Sequence, residues 1–134
     1  HYSQAVYSLN QIRGSSRNLM RFQECGFHGI CCEIADSFEW EDYFPPELQA
    51  LEELDNKLHS DYYQTFFCYL ENGQQLQPSS AQLHIHTNTL KYRLRKIFTF
   101  LDYQPDDLEK RHYYLLCMQL KNNFRKHCCP LSAP

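Results

Sequence analysis

A mainly α fold is expected for this chain, and three observations predict it. From residue 47 to about 125 the apolar residues recur at spacings of three and four, the period of a helix face. Residues that start or stop helices fall between those runs: Asp61, Gly73, Pro78 and the Pro105-Asp106-Asp107 group. The 134 residues make about one domain, and 43% apolar with 15% aromatic content gives it a core of useful size.

In chain order, Val6, Leu9 and Ile12 predict a short amphipathic helix over 3–13, ended by Gly14-Ser15-Ser16. Residues 19–22 predict a strand. Phe27 to Ala35 reads as a short helix, and the acidic, aromatic stretch from Asp36 to Tyr43 leads to a break at Pro45-Pro46. A helix starts from Glu47 with Leu48, Leu51 and Leu54 on one side. Asp61 caps a helix to about Asn72, with Tyr62, Tyr63, Phe66, Phe67 and Leu70 on its apolar side. Gly73 suits its left-handed C-terminal cap, and Pro78 the first turn of a short helix over Ser79–Leu83. His84-Ile85-His86 makes a tight turn. A further helix runs from Thr87 to Leu101, with Leu90, Leu94, Ile97, Phe98 and Leu101 on one face. The last helix follows Pro105 and continues to about Phe124, its first-turn acids suiting the helix dipole.

The net charge of −3 hides an asymmetry. Residues 24–71 hold 12 acids and one base, Lys57. Residues 72–101 hold no acid, and their four bases, Lys91, Arg93, Arg95 and Lys96, fall within six residues. Such a cluster is a phosphate-binding footprint or a solvated helix face. No apolar run approaches the roughly 20 residues of a membrane helix, so no membrane partner is expected. No secretory signal stands at the start, so a cytoplasmic location is expected. The seven cysteines, with vicinal pairs at 31-32 and 128-129, make a poor disulfide framework and are expected to be reduced. Neither His28…Cys31-Cys32 nor His127-Cys128-Cys129 has the spacing of a structural zinc site. No nucleophile–base order, phosphate loop or spaced carboxylate pair stands out, so no catalytic residue, metal or cofactor is expected.

A short helix, a tight turn and a longer basic helix together make a helix-turn-helix. Ser80 and Ala81 supply a small residue at the crossing, and Ile85 is the apolar residue that locks the turn. At about 100° per residue, Asn88, Lys91, Tyr92, Arg95 and Lys96 share one face of the second helix. Leu90, Leu94 and Ile97 lie opposite. Asn reads adenine and Arg reads guanine in a bidentate way, while Lys, Tyr and Thr more often hold phosphates. Thr87 and Thr89 stand at the helix start, within reach of phosphate or a thymine methyl group. His84 and His86 are expected to cap the helix or approach DNA rather than bind metal.

Residues 61–101 resemble the C-terminal helix-turn-helix of the PucR/CdaR family of bacterial transcription regulators, a Fis-like helix-turn-helix. The specific string is Leu83 through Leu94, supported by Thr65 and Tyr69-Leu70-Glu71-Asn72. The family's usual form across 86–94 is His-Arg-Asn-Thr-Leu-Arg-Tyr-Arg-Leu, and seven of the nine positions match. Lys91 is a like-charged exchange, Thr87 stands at the usual Arg, Ser80 at the usual Ala and Phe66 at a usual Leu.

The resemblance implies sequence-specific binding of double-stranded DNA, most often as a homodimer, through His86, Thr87, Asn88, Thr89, Lys91, Tyr92, Arg93, Arg95 and Lys96. It implies control of catabolic or transport genes by a small molecule sensed elsewhere in a longer protein. Residues 1–46 are then the tail of an upstream α/β sensor-side domain with its linker, 47–126 the DNA-binding domain and 127–134 a C-terminal tail. The alternative is a protein-interaction module that uses the helix-turn-helix as scaffold and the acidic-aromatic stretch 36–46 as docking site.

Overall fold

Helices follow one another through the computed structural model, which describes residues 26–37 and 39–124. They are α1 (Phe27–Ser37), a 3-10 turn at Trp40–Tyr43, α2 (Pro46–Leu58), α3 (Tyr62–Glu71), α4 (Leu76–Leu83), α5 (Thr87–Leu101), α6 (Leu108–Gln119) and a π-helical turn at Leu120–Phe124. No strand occurs among the described residues. The helix expected over 3–13, the strand over 19–22 and the tail 127–134 lie outside them.

The chain divides into two compact units, Phe44–Met118 and a second made of the residues up to Tyr43 with those from Gln119 on. In the second unit α1 packs against the π-helical turn, burying Gly29, Cys31 and Cys32. Cys32 is disulfide-bonded, which corrects the expectation of reduced thiols throughout. Cys31, Cys68 and Cys117 are free and buried.

The Phe44–Met118 unit is built round α3. Phe66, Phe67, Tyr69 and Leu70 are all buried, and α2, α4 and α5 pack on this helix. The Phe66 ring meets Tyr103 at 5.1 Å, Tyr114 at 6.1 Å and Phe98 at 6.4 Å, each edge to face. That is the arrangement aromatic quadrupoles favour, worth about 0.5–1.5 kcal/mol per pair beyond area burial. Two buried phenols in this cluster have partners, as buried polar groups must. Tyr114 donates to the Glu47 carboxylate, and Tyr103 donates to Gln74 Oε1 at 2.6 Å. Burial, chiefly, pushes the Tyr103 phenol up to about 12.

Helix α2 begins with Pro46 in its first turn, where the missing N–H is no loss, and sends Leu48 and Leu51 fully into the core. It ends at His59 in the left-handed conformation. Asp61 occupies the N-cap position of α3, as its sequence suggests, but its side chain makes no capping bond. The cap is supplied from α2 instead. Asp55 Oδ1 accepts the Tyr62 N–H at 2.9 Å and the Ser60 hydroxyl at 2.6 Å, and Oδ2 accepts the Tyr63 N–H at 2.8 Å. Gly73 takes φ +65° just after α3, the left-handed position it was expected to fill. Gln74 follows at φ +61° and reaches the loop after α5, its Nε2 donating to the Pro105 carbonyl at 3.0 Å. Asp107 caps α6 by accepting the Lys110 N–H at 3.0 Å.

Candidate nucleic-acid interface

Helix α4 starts three residues earlier than expected, at Leu76, and Pro78 sits within its first turn. An N–H is dispensable there because the first-turn donors have no partner inside the helix. The small residues at its packed face are Ser79, fully buried, and Ser80, 5% exposed; Ala81 faces solvent. Of the expected pair Ser80-Ala81, Ser80 is buried and Ala81 is not. Both hydroxyls are satisfied on the helix's own backbone, Ser79 donating to Gln75 O and Ser80 to Gln77 O. With only a hydroxyl beyond Cβ at these positions, α4 lies close enough to α3 for the Cys68 thiol to approach Ser79 O at 3.8 Å. Asn72, at the end of α3, donates to Cys68 O at 2.8 Å and to Gln82 Oε1 at 2.9 Å, tying the two helices at a second point.

The turn runs through His84, left-handed at φ +56°, and half-buried Ile85, which packs against the core. His86 is the N-cap of α5, and its Nδ1 accepts the Asn88 N–H at 3.0 Å. An imidazole nitrogen that accepts carries no proton, so the ring's N–H is on Nε2. The capping role expected of the turn histidines is thus carried by His86.

Helix α5 spans Thr87–Leu101, the range expected from its periodicity. Leu90, Leu94, Ile97 and Leu101 are buried. Asn88, Thr89, Lys91, Tyr92, Arg95 and Lys96 are exposed, as is His86 just before them. Tyr92 is 54% exposed, so it belongs to the outer face and not the core. Two of the expected site residues lie apart from this face. Thr87 is half-buried in the first turn. Arg93 is half-buried and turned to α3, its Nη1 donating to the Thr65 hydroxyl at 3.4 Å. Thr65 is fully buried, and its hydroxyl donates in turn to Asp61 O at 2.6 Å.

The Lys96 ammonium stands over the Tyr92 ring, 4.7 Å from its centroid. Its hydrogen bond to Tyr92, chiefly, and the nearby Tyr62 and Tyr92 phenols hold Lys96 above the ordinary lysine value. The face therefore offers amide, guanidinium, ammonium, phenol and hydroxyl groups on one rigid helix, in a stretch with no acid. These are the groups that read base edges and hold phosphates. Sequence reasoning missed the Asp55 and Gln74 side chains that fix the surrounding helices, and met Asn72 only as part of a family string. No short-range spacing rule points to them, because each acts on a different element. Among the described residues no group of three His, Cys, Asp or Glu side chains is placed to hold a metal ion. No described helix is long and apolar enough to cross a membrane.

Comparison with known proteins agrees with this geometry. The chain is 27% identical over 118 residues to the proline-responsive transcriptional activator PutR of Bacillus subtilis, covering 87% of this chain and 29% of PutR. It is 22% identical over 107 residues to the DNA-binding transcriptional activator AdeR of the same organism, covering 80% of this chain and 25% of AdeR. The chain thus spans less than a third of the length of these relatives. No solved structure gives a significant match. The PucR C-terminal helix-turn-helix domain matches residues 62–120, a range that holds α3 through α6. Residues 62–120 of this chain are a member of that helix-turn-helix family.

Proposed function

We propose that this chain binds double-stranded DNA in a sequence-specific way as part of a bacterial transcription regulator, with α5 as the reading helix. The observation that carries the reading is the division of α5. Its apolar edge is locked in the core, and its opposite edge presents Asn88, Lys91, Tyr92, Arg95 and Lys96 to solvent. Asn88 and Arg95 are the base readers; Thr89, Lys91, Lys96 and the exposed Nε2–H of His86 hold the backbone. A regulator domain of this kind implies a non-enzymatic role. Thr87 and Arg93, half-buried and apart from this face, enter the proposed site through the family string alone. The family points to a homodimer, since helix-turn-helix readers pair on two half-sites. It also points to control of catabolic or transport genes by a small molecule bound outside this chain. PutR answers to proline by its name, and that supports a small-molecule signal of this class. We further propose that residues 1–46 are the tail of the upstream domain, 47–126 the DNA-binding domain and 127–134 a tail.

Fluorescence anisotropy with overlapping duplexes from the gene's own upstream region tests this. Wild type is compared with an Asn88→Ala/Arg95→Ala double variant at two salt concentrations. Selective binding to one duplex, steep weakening with salt and loss of selectivity in the variant are expected. Absence of any binding at low salt by the full-length regulator overturns the reading. Attention then moves to the exposed Glu39, Glu41, Asp42 and Tyr43 as a protein-docking surface.

A further inference from the structure

We infer that Tyr92 and Lys96 act as one phosphate-binding unit, in which the Tyr92 ring holds the Lys96 ammonium in place for a DNA backbone phosphate at the wall of the groove. The inference rests on the DNA-binding reading and assigns Tyr92 a positioning role, acting through Lys96 rather than on a base.

Three observations carry it. The two residues are four apart on α5, the spacing that stacks side chains one turn above each other. The ammonium lies 4.7 Å from the ring centroid, within the range of cation–π attraction. Lys96 is also displaced round the helix from the reading edge. At about 100° per residue, Asn88 and Arg95 nearly coincide, while Lys96 lies about a quarter-turn away. On that same flank Arg93 turns to Thr65 of α3. A helix seated with Asn88 and Arg95 over the base edges therefore sends Lys96 to a strand of the backbone.

A free lysine chain loses much rotamer freedom when it grips a phosphate. A ring that already orders the chain removes part of that loss before DNA arrives. Tyr92 is 54% exposed and belongs to no part of the buried core, so replacing it leaves the core residues in place.

The test uses the full 134-residue chain, the selected duplex, an unrelated duplex of equal length, and the variants Lys96→Gln, Tyr92→Leu and their double. Lys96→Gln is expected to weaken both duplexes by the same factor and to reduce the salt slope by about 0.9, the share of one phosphate. Tyr92→Leu is expected to weaken both duplexes equally, by about two- to fivefold. The double variant is expected to bind no more weakly than Lys96→Gln alone, which is the signature of one shared interaction. Thermal midpoints stay at the wild-type value in all three. Losses that simply add overturn the pairing and leave the DNA-binding reading intact. So does a Tyr92→Leu loss confined to the selected duplex, which would make Tyr92 a base reader. A full-length regulator that binds neither duplex at low salt overturns both.

Discussion

Asp55 holds the start of α3 from a different helix: its Oδ2 accepts the Tyr63 backbone N–H at 2.8 Å while Oδ1 takes the neighbouring N–H of Tyr62. One carboxylate thus satisfies two of the donors that the first turn leaves without partners. It also fixes the angle between α2 and α3. Asp55→Ala is expected to cost about 1–2 kcal/mol, the range of a lost cap. Asp61→Ala should cost less than half of that, since Asp61 contributes its backbone carbonyl and only a favourable charge. Urea unfolding midpoints at unchanged slope would show the order, and equal losses would place the cap at Asp61 after all.

Arg93 and Arg95 are two residues apart and should separate cleanly. Arg95 is exposed on the reading edge, whereas Arg93 is half-buried and bonded to the buried Thr65 hydroxyl. Arg95→Ala is expected to weaken the selected duplex about tenfold or more, with the thermal midpoint unchanged. Arg93→Ala is expected to lower the midpoint through lost stem packing and the long hydrogen bond, together about 0.5–1.5 kcal/mol. Paired melting and anisotropy curves for both variants check this.

The turn histidines differ in what replaces them. His84 occupies left-handed backbone at φ +56°, so His84→Gly is expected to leave stability unchanged or raise it slightly, and His84→Val to lower it. His86 acts through its side chain, so His86→Ala is expected to cost about 1 kcal/mol and His86→Asn to recover most of it. Thermal melts of the four variants distinguish backbone from side-chain roles.

Burial raises the Cys117 thiol from its ordinary 9.0 to about 11, and raises Cys68 as well. A group whose folded value lies above its unfolded value holds an extra proton in the native state between the two. Stability from that source is complete below pH 9 and falls as pH rises through 11. Unfolding midpoints should therefore drop over that window, and Cys117→Ala should flatten the drop. In the native chain at pH 8 both thiols are expected to resist an aromatic disulfide reagent that titrates them rapidly in urea.

What the sequence made legible was local. The range of α5, its buried edge, the glycine after α3 and the capping turn histidine all follow from residues within one or two turns of each other. The features it concealed act across elements. A capping rule looks from Asp61 forward into its own helix and cannot see Asp55, which reaches Tyr63 from eight residues back. Pro78 suggested a helix start because proline favours the first helical position, yet any first-turn position tolerates it, and Leu76 and Gln77 are helical before it. Arg93 entered the site through its place in a familiar string, although its angle on the helix already set it apart from Asn88 and Arg95. The disulfide at Cys32 had no signal in the spacing of the seven cysteines.

The placement of the lone tryptophan gives this chain two optical reporters of different weighting. Trp40 is 4% exposed and belongs to the unit made of the residues up to Tyr43 and from Gln119 on, while Phe66, Tyr69, Tyr103 and Tyr114 crowd the centre of the other unit. Indole emission therefore follows the surroundings of Trp40, and the tyrosine bands of the near-ultraviolet dichroism are weighted to the reading domain. Denaturation traces from the two signals that superimpose would mean that the chain melts as one cooperative body. Traces that part would mean that the reading domain can survive, or fail, independently of what is joined to it.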